Sequence, residues 1–294
     1  MKKVWFITGS SKGLGKSLVE EVLKNGDNVV ATARNIEHLN HLPEEYPKQV
    51  LLLSLDVTVR EQIYSAIDLG LKHFGHLDVL VNNAGFGIIG AAEAFTFEQV
   101  NSQLQVNLYA PIEITRAVLP IMRKQGSGNI LQVSSIGGRV GNAGLTIYQA
   151  AKFGLSGFSE ALSKEVAPLG IKVTSIEPGG FRTDWAGASM SFAPKVEGYD
   201  TTVGTMADYI KSGVYVPVGD PSKAAKVIFE LVYNLTPPVH LVLGSEAAAI
   251  LENANVARKT EFDTWLPVTN STDHDDQVNL FASKEGKRFL SGNE

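Results

Sequence analysis

Short apolar segments recur along this chain of 294 residues, and longer amphipathic segments lie between them. Each short segment has four to six residues, is rich in Val, Ile or Leu, and shows no alternation of polar and apolar side chains. Strands of this kind are typical of a parallel sheet that helices cover on both faces, because every side chain is then buried. The predicted strands are 4–8, 28–33, 50–54, 77–81, 129–134, 172–176 and 239–242.

The segments between these strands carry apolar side chains at helical spacing. Thr58 and Glu61 have the spacing of a capping box at a helix start, and a break is expected near Pro111. The alternation predicts a doubly wound α/β fold, a Rossmann fold of about seven parallel strands with helices on both faces. The predicted helices are 13–25, 58–74, 96–124, 146–168 and 221–234.

Two regions depart from the alternation. The segment 181–220 is long, weakly periodic and rich in Gly, Met and aromatic residues, and a loop of this length in a compact domain is usually functional. A helical stretch, 245–264, and a polar tail follow the last predicted strand. We therefore expect one domain, 1–244, that includes the 181–220 loop, and a C-terminal extension, 245–294.

Composition excludes several classes of function. A formal net charge of −5 gives no general attraction to nucleic acid. The absence of cysteine excludes disulfides and thiolate catalysis, and the six histidines lack metal-site spacing, so no metal is expected. No segment reaches the ~18 apolar residues of a membrane helix, and the first apolar run is too short for a signal peptide. We expect a cytoplasmic protein without nucleic-acid or membrane partners.

A glycine-rich turn, Thr8–Gly15, connects the first strand to the first helix. Glycines allow the backbone to approach a pyrophosphate, and the helix N-terminus favours its charge. The same turn could be purely structural, but its place at the start of a strand–helix–strand unit favours a dinucleotide. The predicted contacts are Gly9, Ser11, Lys12, Gly13, Leu14 and Gly15.

The second strand ends at Arg34, where NAD-binding folds usually carry an acid for the ribose 2′-hydroxyl. Arg34 and Lys12 could together bind a 2′-phosphate, which favours NADP(H). The alternative is that both are solvated surface charges. Asp56, with Val57 beside it, follows the third strand and could accept a hydrogen bond from the adenine amino group or simply form a turn before the helix.

Further motifs follow in a fixed order, and with them the chain resembles the short-chain dehydrogenase/reductase family over about residues 3–243. Any one of them is a weak signal, but the ordered set is specific. The subgroup it resembles is that of 17β-hydroxysteroid dehydrogenases and carbonyl reductases. The motifs are Thr8–Gly15, Asn82-Asn83-Ala84-Gly85, Asn107, Ser135, Tyr148-Gln-Ala-Ala-Lys152, and Pro178-Gly179 with Thr183.

The resemblance assigns roles to four of these residues. Tyr148 would be the proton donor and acceptor, Ser135 would stabilise the substrate oxygen, and Asn107 would hold a water that links Lys152 to solvent. Tyr148 and Lys152 are four residues apart and share one face of a predicted helix. Unit charges at ~4 Å interact by about 4 kcal/mol at an effective dielectric of ~20, so the ammonium is expected to lower the phenol pKa.

The remaining motifs are expected along the cofactor. Asn83, Ala84 and Gly85 would lie against it after the fourth strand, with Asn82 stabilising the sheet. Tyr148 and Lys152 would contact it as well. The pair Pro178 and Gly179 would face the nicotinamide, with Thr183 at its carboxamide.

The substrate pocket is expected to be apolar, which indicates a hydrophobic ketone, aldehyde or secondary alcohol. An NADP(H) preference favours reduction. The residues predicted to line the pocket are Phe86, Ile88, Leu145, Phe181 and Trp185.

Homo-oligomers are usual in the family, so a homodimer or homotetramer is expected through the helices near 104–124 and 146–168. Two alternatives to a reductase remain. One is an NADP-binding sensor or scaffold without turnover, against which the intact Ser135, Tyr148 and Lys152 set argues. The other is an epimerase or dehydratase that uses the same cofactor.

Overall fold

The computed structural model describes residues 2–183, 190–274 and 283–291. The chain divides into two compact units, Met1–Leu251 and Glu252–Glu294. The first unit holds the sheet and every predicted site residue that the structure describes. The second contains the rest of a long helix that begins at Ser245, and a short helix near the C-terminus.

The strands of the described residues form two parallel sheets. Seven belong to the large sheet, in the order β3-β2-β1-β4-β6-β7-β9, and β5 pairs with β8 in a small second sheet. The predicted seven-stranded, doubly wound parallel sheet is thus confirmed. The strands are β1 (Val4–Thr8), β2 (Asn28–Ala33), β3 (Val50–Ser54), β4 (Val79–Asn82), β5 (Gly87–Ile89), β6 (Gly128–Val133), β7 (Ile171–Pro178), β8 (Met190–Phe192) and β9 (His240–Leu243).

Helices fill the connections between the strands. A π-helical turn, Gln105–Tyr109, separates α4 from α5, and a second one, Asp200–Gly204, precedes α7. The α-helices are α1 (Gly13–Lys24), α2 (Leu42–Glu45), α3 (Arg60–Phe74), α4 (Phe97–Leu104), α5 (Ala110–Gln125), α6 (Thr146–Val166), α7 (Thr205–Lys211), α8 (Pro221–Leu231), α9 (Ser245–Asn270) and α10 (Lys284–Ser291).

Burial on both faces of the large sheet explains the unbroken apolar strands. Trp5 and Ile7 of β1 join one core cluster with α1 and α8, whereas Val4 and Phe6 join another with α3, α5 and α6. Successive strand residues point to opposite faces, so a strand between two helical layers needs an apolar residue at every position. All four of these side chains are at most 1% exposed.

One prediction of a helix start is wrong, and one predicted break is found close to its expected place. The helix expected from Thr58 begins at Arg60, because the Thr58 hydroxyl donates to the Asp56 carboxylate over 2.7 Å and closes a turn before the helix. The break expected near Pro111 corresponds to the π turn Gln105–Tyr109. Pro111 itself is in the first turn of α5, which follows the π turn directly.

The irregular segments contain more structure than their composition indicates. Within 181–220, β8 pairs with β5, and α7 follows the π turn. The helix expected over 245–264 continues to Asn270, and the polar tail includes α10. β8 has three residues, α7 seven and α10 eight, and segments this short show too little periodicity to be identified from the sequence.

Asp27, just before β2, connects three parts of the first unit and is itself only 4% exposed. Its carboxylate accepts hydrogen bonds from the Lys3 backbone, the Trp5 indole and the Tyr233 hydroxyl. These contacts join the start of β1 to the segment that follows α8. A carboxylate can accept from all three donors at once, whereas an amide cannot.

We expect Asp27→Asn to lower the free energy of unfolding by about 2 kcal/mol, because a buried donor loses a charged acceptor. Urea unfolding followed by circular dichroism measures this, with an unchanged m-value. Asp68→Asn, on the exposed face of α3, is the matched control and should leave stability unchanged. An Asp27→Asn midpoint equal to that of the wild type would contradict the anchoring role.

Candidate active site

The predicted motifs meet at one edge of the large sheet. β1, β4, β6 and β7 are neighbours and parallel, so their carboxyl ends lie side by side. The connections that follow the neighbouring strands β1 and β4 lie on opposite faces of the sheet, α1 on one and α5 on the other. Ligands of doubly wound folds bind in the crevice at such a switch point. The glycine-rich turn, Asn83, Ser135 and Pro178 all follow or end these four strands.

The glycine-rich turn is held in shape by Asn83. Its side-chain amide donates to the carbonyl oxygens of Thr8, at 2.9 Å, and Gly9, at 3.1 Å. The Thr8 hydroxyl accepts in return from the Asn83 and Ala84 backbone. A Cβ on Gly15 would collide with the Gly9 carbonyl, so the tight approach of turn and helix requires glycine there.

This turn fits a pyrophosphate. The N-cap of α1 is Lys12, which makes no side-chain hydrogen bond to the helix, so its side chain leaves the first backbone N–H groups available to an anion. Gly13 has a φ of +56°, and a Cβ there would lie 3.4 Å from the Thr183 side chain. Thr183 therefore lies over the turn. Ser11 is partly exposed beside it, whereas Leu14 packs into the core.

The residues at the end of β2 and β3 also face solvent. Arg34 and Lys12 are exposed. Asp56 accepts from the backbone and hydroxyl of Thr58, and these hydrogen bonds, together with the nearby Arg34 charge, hold the Asp56 carboxyl pKa below its usual value. Asp56 thus forms a turn before α3, one of the two roles that the sequence left open. Val57 packs against the core.

The proposed catalytic residues lie together. Ser135 precedes a single 3₁₀ turn, Ile136–Gly138, where its hydroxyl accepts from the Gly137 backbone at 3.0 Å and forms a hydrogen bond with the Tyr148 side chain. Tyr148 and Lys152 are both on α6 and each is 5% exposed. The Lys152 ammonium donates to the Val133 carbonyl at 2.7 Å and lies 5.8 Å from the centre of the Tyr148 ring.

Ser134, the residue directly before Ser135, makes different contacts. Its hydroxyl donates to the Lys152 carbonyl at 3.1 Å and pairs with the Ser156 hydroxyl at 2.9 Å. These contacts bind the end of β6 to α6. Ser134 and Ser135 therefore contact different residues of the same helix, Ser134 at Lys152 and Ser156 and Ser135 at Tyr148.

Asn107 lies in the π turn and is fully buried. Its side chain donates to the Phe86 carbonyl at 2.7 Å and accepts from the Phe86 backbone N–H at 3.1 Å. A Cβ on Gly85 would lie 3.0 Å from the Asn107 side-chain oxygen and 3.7 Å from the Lys152 ammonium. Asn107 thus positions the segment after β4 beside Lys152. Its predicted role of holding a water that links Lys152 to solvent stays a prediction.

The end of β7 completes the crevice. Pro178 is the last strand residue, and the Gly179 backbone donates to the Leu243 carbonyl at 2.9 Å. A Cβ on Gly179 would lie 3.0 Å from that of Ala247, so the start of α9 packs closely against this turn. Both residues are partly exposed, which leaves their other side open to the crevice.

The predicted substrate pocket is only partly assembled around Tyr148. Leu145 packs with Tyr148, Ile89 and Met190. Met190 belongs to the 181–220 segment that is predicted to close the pocket, whereas Ile89 is not among the predicted lining residues. Ile88 is buried and next to Ile89 in β5, where neighbours point to opposite faces. Phe86 is partly buried, Phe181 packs against the core cluster of α1 and α8, and Trp185 lies outside the described residues.

The family model described as short chain dehydrogenase matches residues 3–192 of this sequence. The chain belongs to the short-chain dehydrogenase family. Oxidoreductase BOA17 of Botryotinia fuckeliana is 42% identical over 266 residues, which are 90% of this chain and 97% of that protein.

Two solved structures resemble this short-chain dehydrogenase over most of its length. A short-chain dehydrogenase from Streptomyces avermitilis has a TM-score of 0.88 and 37% identity, covering 93% of this chain and 100% of the other. ElxO, solved with NADP bound, has a TM-score of 0.71 and 27% identity, covering 85% and 100%.

The electrostatics of the family's tyrosine and lysine differ from the expectation. Burial raises the pKa of the Tyr148 phenol to about 12, and the Ser135 hydrogen bond opposes this rise in part. Burial also lowers the pKa of the Lys152 ammonium to about 8. The expected lowering of the Tyr148 pKa by Lys152 is therefore not seen in this structure, because desolvation disfavours the charged form of each group.

The described residues contain no group of three or more His, Asp or Glu side chains that could hold a metal ion. Over the same ranges, no helix is both long and apolar enough to cross a membrane.

The buried Lys152 makes stability depend on pH. Its pKa is lower in the folded chain, so the unfolded chain binds more protons above pH 8, and stability rises with pH. The rise should end near pH 10, above which the raised pKa of Tyr148 acts in the opposite direction. From pH 8 to pH 10, we expect the wild type to gain about 2 kcal/mol in unfolding free energy relative to Lys152→Met.

Chemical denaturation at several pH values without added cofactor measures this difference. Lys164→Met removes a lysine that is 76% exposed on the same helix and should follow the wild type. Parallel pH curves for the wild type and Lys152→Met would contradict a buried ammonium.

Proposed function

We propose that this short-chain dehydrogenase is an NADP(H)-dependent reductase of hydrophobic ketones or aldehydes, with Tyr148 as the proton donor. The observation that carries this proposal is the hydrogen bond between Ser135 and a nearly buried Tyr148, with Lys152 one helical turn away, at the carboxyl edge of the sheet. Proton transfer to an oxygen requires a donor and a second hydrogen-bonding group aimed at one point.

Tyr148 is suited to protonate a forming alcohol. Because its pKa is about 12, the phenol keeps its proton at neutral pH and can donate it as negative charge develops on the substrate oxygen. Ser135 would donate a hydrogen bond to the same oxygen, after which the ketone carbon has gained a hydride and the oxygen a proton. This protonation state favours reduction over alcohol oxidation as the working direction.

Lys152 supports the proton supply. With a pKa of about 8, its ammonium can release and recover a proton near neutral pH, which a lysine in water does not do. Its closeness to Gly85 and Asn107 connects it to the segment that follows β4. In this role it would restore the Tyr148 proton between turnovers.

NADPH is the cofactor that fits the crevice, and it would supply the hydride when bound. Gly9, Gly13 and Gly15 form the turn for its pyrophosphate, and the exposed Arg34 and Lys12 suit its 2′-phosphate. ElxO, of similar fold, was solved with NADP bound. Ser11, Ala84, Gly85, Pro178, Gly179 and Thr183 would complete the contacts, with Asp56 and Val57 near the adenine.

The substrate is proposed to be apolar beside its carbonyl group. Tyr148 packs with Ile89, Leu145 and Met190, and Phe192, Met206 and Ile210 are partly buried against the same cluster. A pocket lined in this way offers few hydrogen bonds apart from those of Ser135 and Tyr148. It would therefore select a hydrophobic ketone or aldehyde of the carbonyl reductase type.

A homodimer or homotetramer is proposed as the assembly, formed through the helices α5 and α6. Their surfaces carry exposed aromatic groups, with Phe153 at 42% and Tyr109, just before α5, at 52%. Burial of these groups against a second copy would add to the stability of the assembly. A monomer in light scattering at micromolar concentration would contradict this assembly.

Tyr148→Phe should lower kcat for carbonyl reduction by at least about 100-fold, since it removes the proton donor and keeps the ring. The dissociation constant for NADPH should change little, because the phenol contributes one contact among many. A panel of hydrophobic ketones followed by NADPH absorbance measures the first, and protein fluorescence the second. Tyr64→Phe, on the surface of α3, is the matched control and should retain wild-type turnover.

The same assay separates the two alternatives. A sensor or scaffold would bind NADPH without consuming it, and Tyr148→Phe would leave its cellular function intact. An epimerase or dehydratase would convert its substrate without net loss of NADPH. Wild-type protein that fails on every ketone and aldehyde tested would overturn the reductase proposal.

The double variant Lys12→Ala and Arg34→Ala should lose its preference for NADPH over NADH by about 100-fold in kcat/KM, since two phosphate contacts disappear. Steady-state kinetics with both cofactors measure the ratio. Lys16→Ala removes another exposed cation from α1 and should preserve it. An unchanged ratio in the double variant would show that the 2′-phosphate binds elsewhere.

A further inference from the structure

A carboxylate that the proposed mechanism does not use is buried beside the crevice. Glu177 is 0% exposed and stands in β7 directly before Pro178. A fully buried carboxylate is costly unless it is paired and hydrogen-bonded. Glu177 lies at the end of the strand that faces the proposed nicotinamide site. Its hydrogen-bond partners therefore show which parts of the site it holds in place.

Glu177 is satisfied by three groups from different elements. One carboxylate oxygen accepts from the Arg139 guanidinium at 3.0 Å. The other oxygen lies 2.7 Å from His240 Nδ1 and accepts from the Ser175 hydroxyl at 3.1 Å. Arg139 and His240 are themselves partly exposed, with side chains 28% and 24% accessible. The buried carboxylate is thus paired with side chains that reach the surface.

The ion pair of Glu177 and Arg139 lies at the C-terminal end of the short segment that carries Ser135. This segment, 135–139, begins after Ser134, whose backbone donates to the Ile176 carbonyl at 2.8 Å. It ends at Arg139, directly after the 3₁₀ turn Ile136–Gly138. The segment is therefore attached to β7 at both ends, once by the backbone and once by the ion pair.

We propose that Glu177 is a positioning residue for Ser135, acting through Arg139. The ion pair holds the 3₁₀ turn against β7, so that the Ser135 hydroxyl stays at hydrogen-bond distance from Tyr148. This inference rests on the proposed reductase function and assigns the carboxylate no contact with the substrate or the reacting atoms. It explains why a charge is kept where an apolar residue would avoid the desolvation cost.

A kinetic double-mutant cycle with Ser135 tests the inference. Glu177→Gln keeps the size of the side chain but removes the charge that pairs with Arg139, and we expect kcat to fall about 10-fold through misplacement of one oxyanion donor. In a Ser135→Ala background, the same change should cost less than about 2-fold, because the group that it positions is already absent. A general loss of structure would cost the same in both backgrounds.

Further variants separate positioning from stability. Arg139→Met should reproduce the loss in kcat, and Arg139→Lys should restore part of it because a cation is again present. Glu160→Gln is the matched control: it removes the exposed carboxylate 3.6 Å from the other ring nitrogen of His240, and should leave kcat unchanged. NADPH affinity, measured by protein fluorescence, should change less than about 3-fold in Glu177→Gln, because Ser135 acts on the substrate.

A crystal structure of Glu177→Gln gives a readout that does not depend on turnover. We expect the 135–139 segment to shift and the Ser135 hydroxyl to move away from the Tyr148 phenol relative to a crystal structure of the wild type. An unmoved Ser135, or equal kinetic losses with and without the Ser135 hydroxyl, would overturn the inference. If wild-type protein reduces no carbonyl compound, the proposed function fails. The position of Ser135 in the Glu177→Gln crystal structure still decides the inference in that case.

Discussion

The parallel alignment of four central strands is the constraint on which the site depends. Because β1, β4, β6 and β7 run in one direction and are hydrogen-bonded neighbours, the segments that follow them open at a single edge. Residues separated by more than 160 positions in the chain, such as Gly9 and Pro178, are thereby brought to one crevice. Both faces of the sheet must be covered to bury its apolar strands, and the same helices that cover it supply Tyr148 and Lys152.

Burial, rather than attraction between charges, sets the proton chemistry of the site. Tyr148 and Lys152 are both nearly inaccessible, so each prefers its neutral form more strongly than in water. Near neutral pH the Tyr148 phenol keeps its proton and can donate it, and Lys152 can release a proton that replaces it. The arrangement suits reduction of a carbonyl group, and the Ser135 hydrogen bond partly opposes the rise in the phenol pKa.

Side-chain hydrogen bonds, rather than strand pairing, hold the loops around Tyr148 and Lys152. Asn83 holds the glycine-rich turn, and Asn107 holds the segment after β4 at Phe86. The sequence predicts a ligand-binding role for both residues, but in the structure their side chains form hydrogen bonds with neighbouring backbone groups. The ion pair of Glu177 extends the same principle to the turn that carries Ser135. Loops at the edge of a sheet lack ladder hydrogen bonds, so buried side chains provide the rigidity that a catalytic site needs.

The sequence by itself determined the sheet, the glycine-rich turn and the spacing of Tyr148 and Lys152, because hydrophobic periodicity and helical spacing are local properties. The ends of β1, β2 and β3 were predicted to the residue. Tertiary structure decided what depends on distant partners: the pairing of β5 with β8, the place of Met190 against Tyr148, and the burial that raises the phenol pKa. A pKa depends on the whole surrounding dielectric, and a carboxylate such as Glu177 acquires its role only when three elements converge on it. Neither property is written in any one segment of the chain.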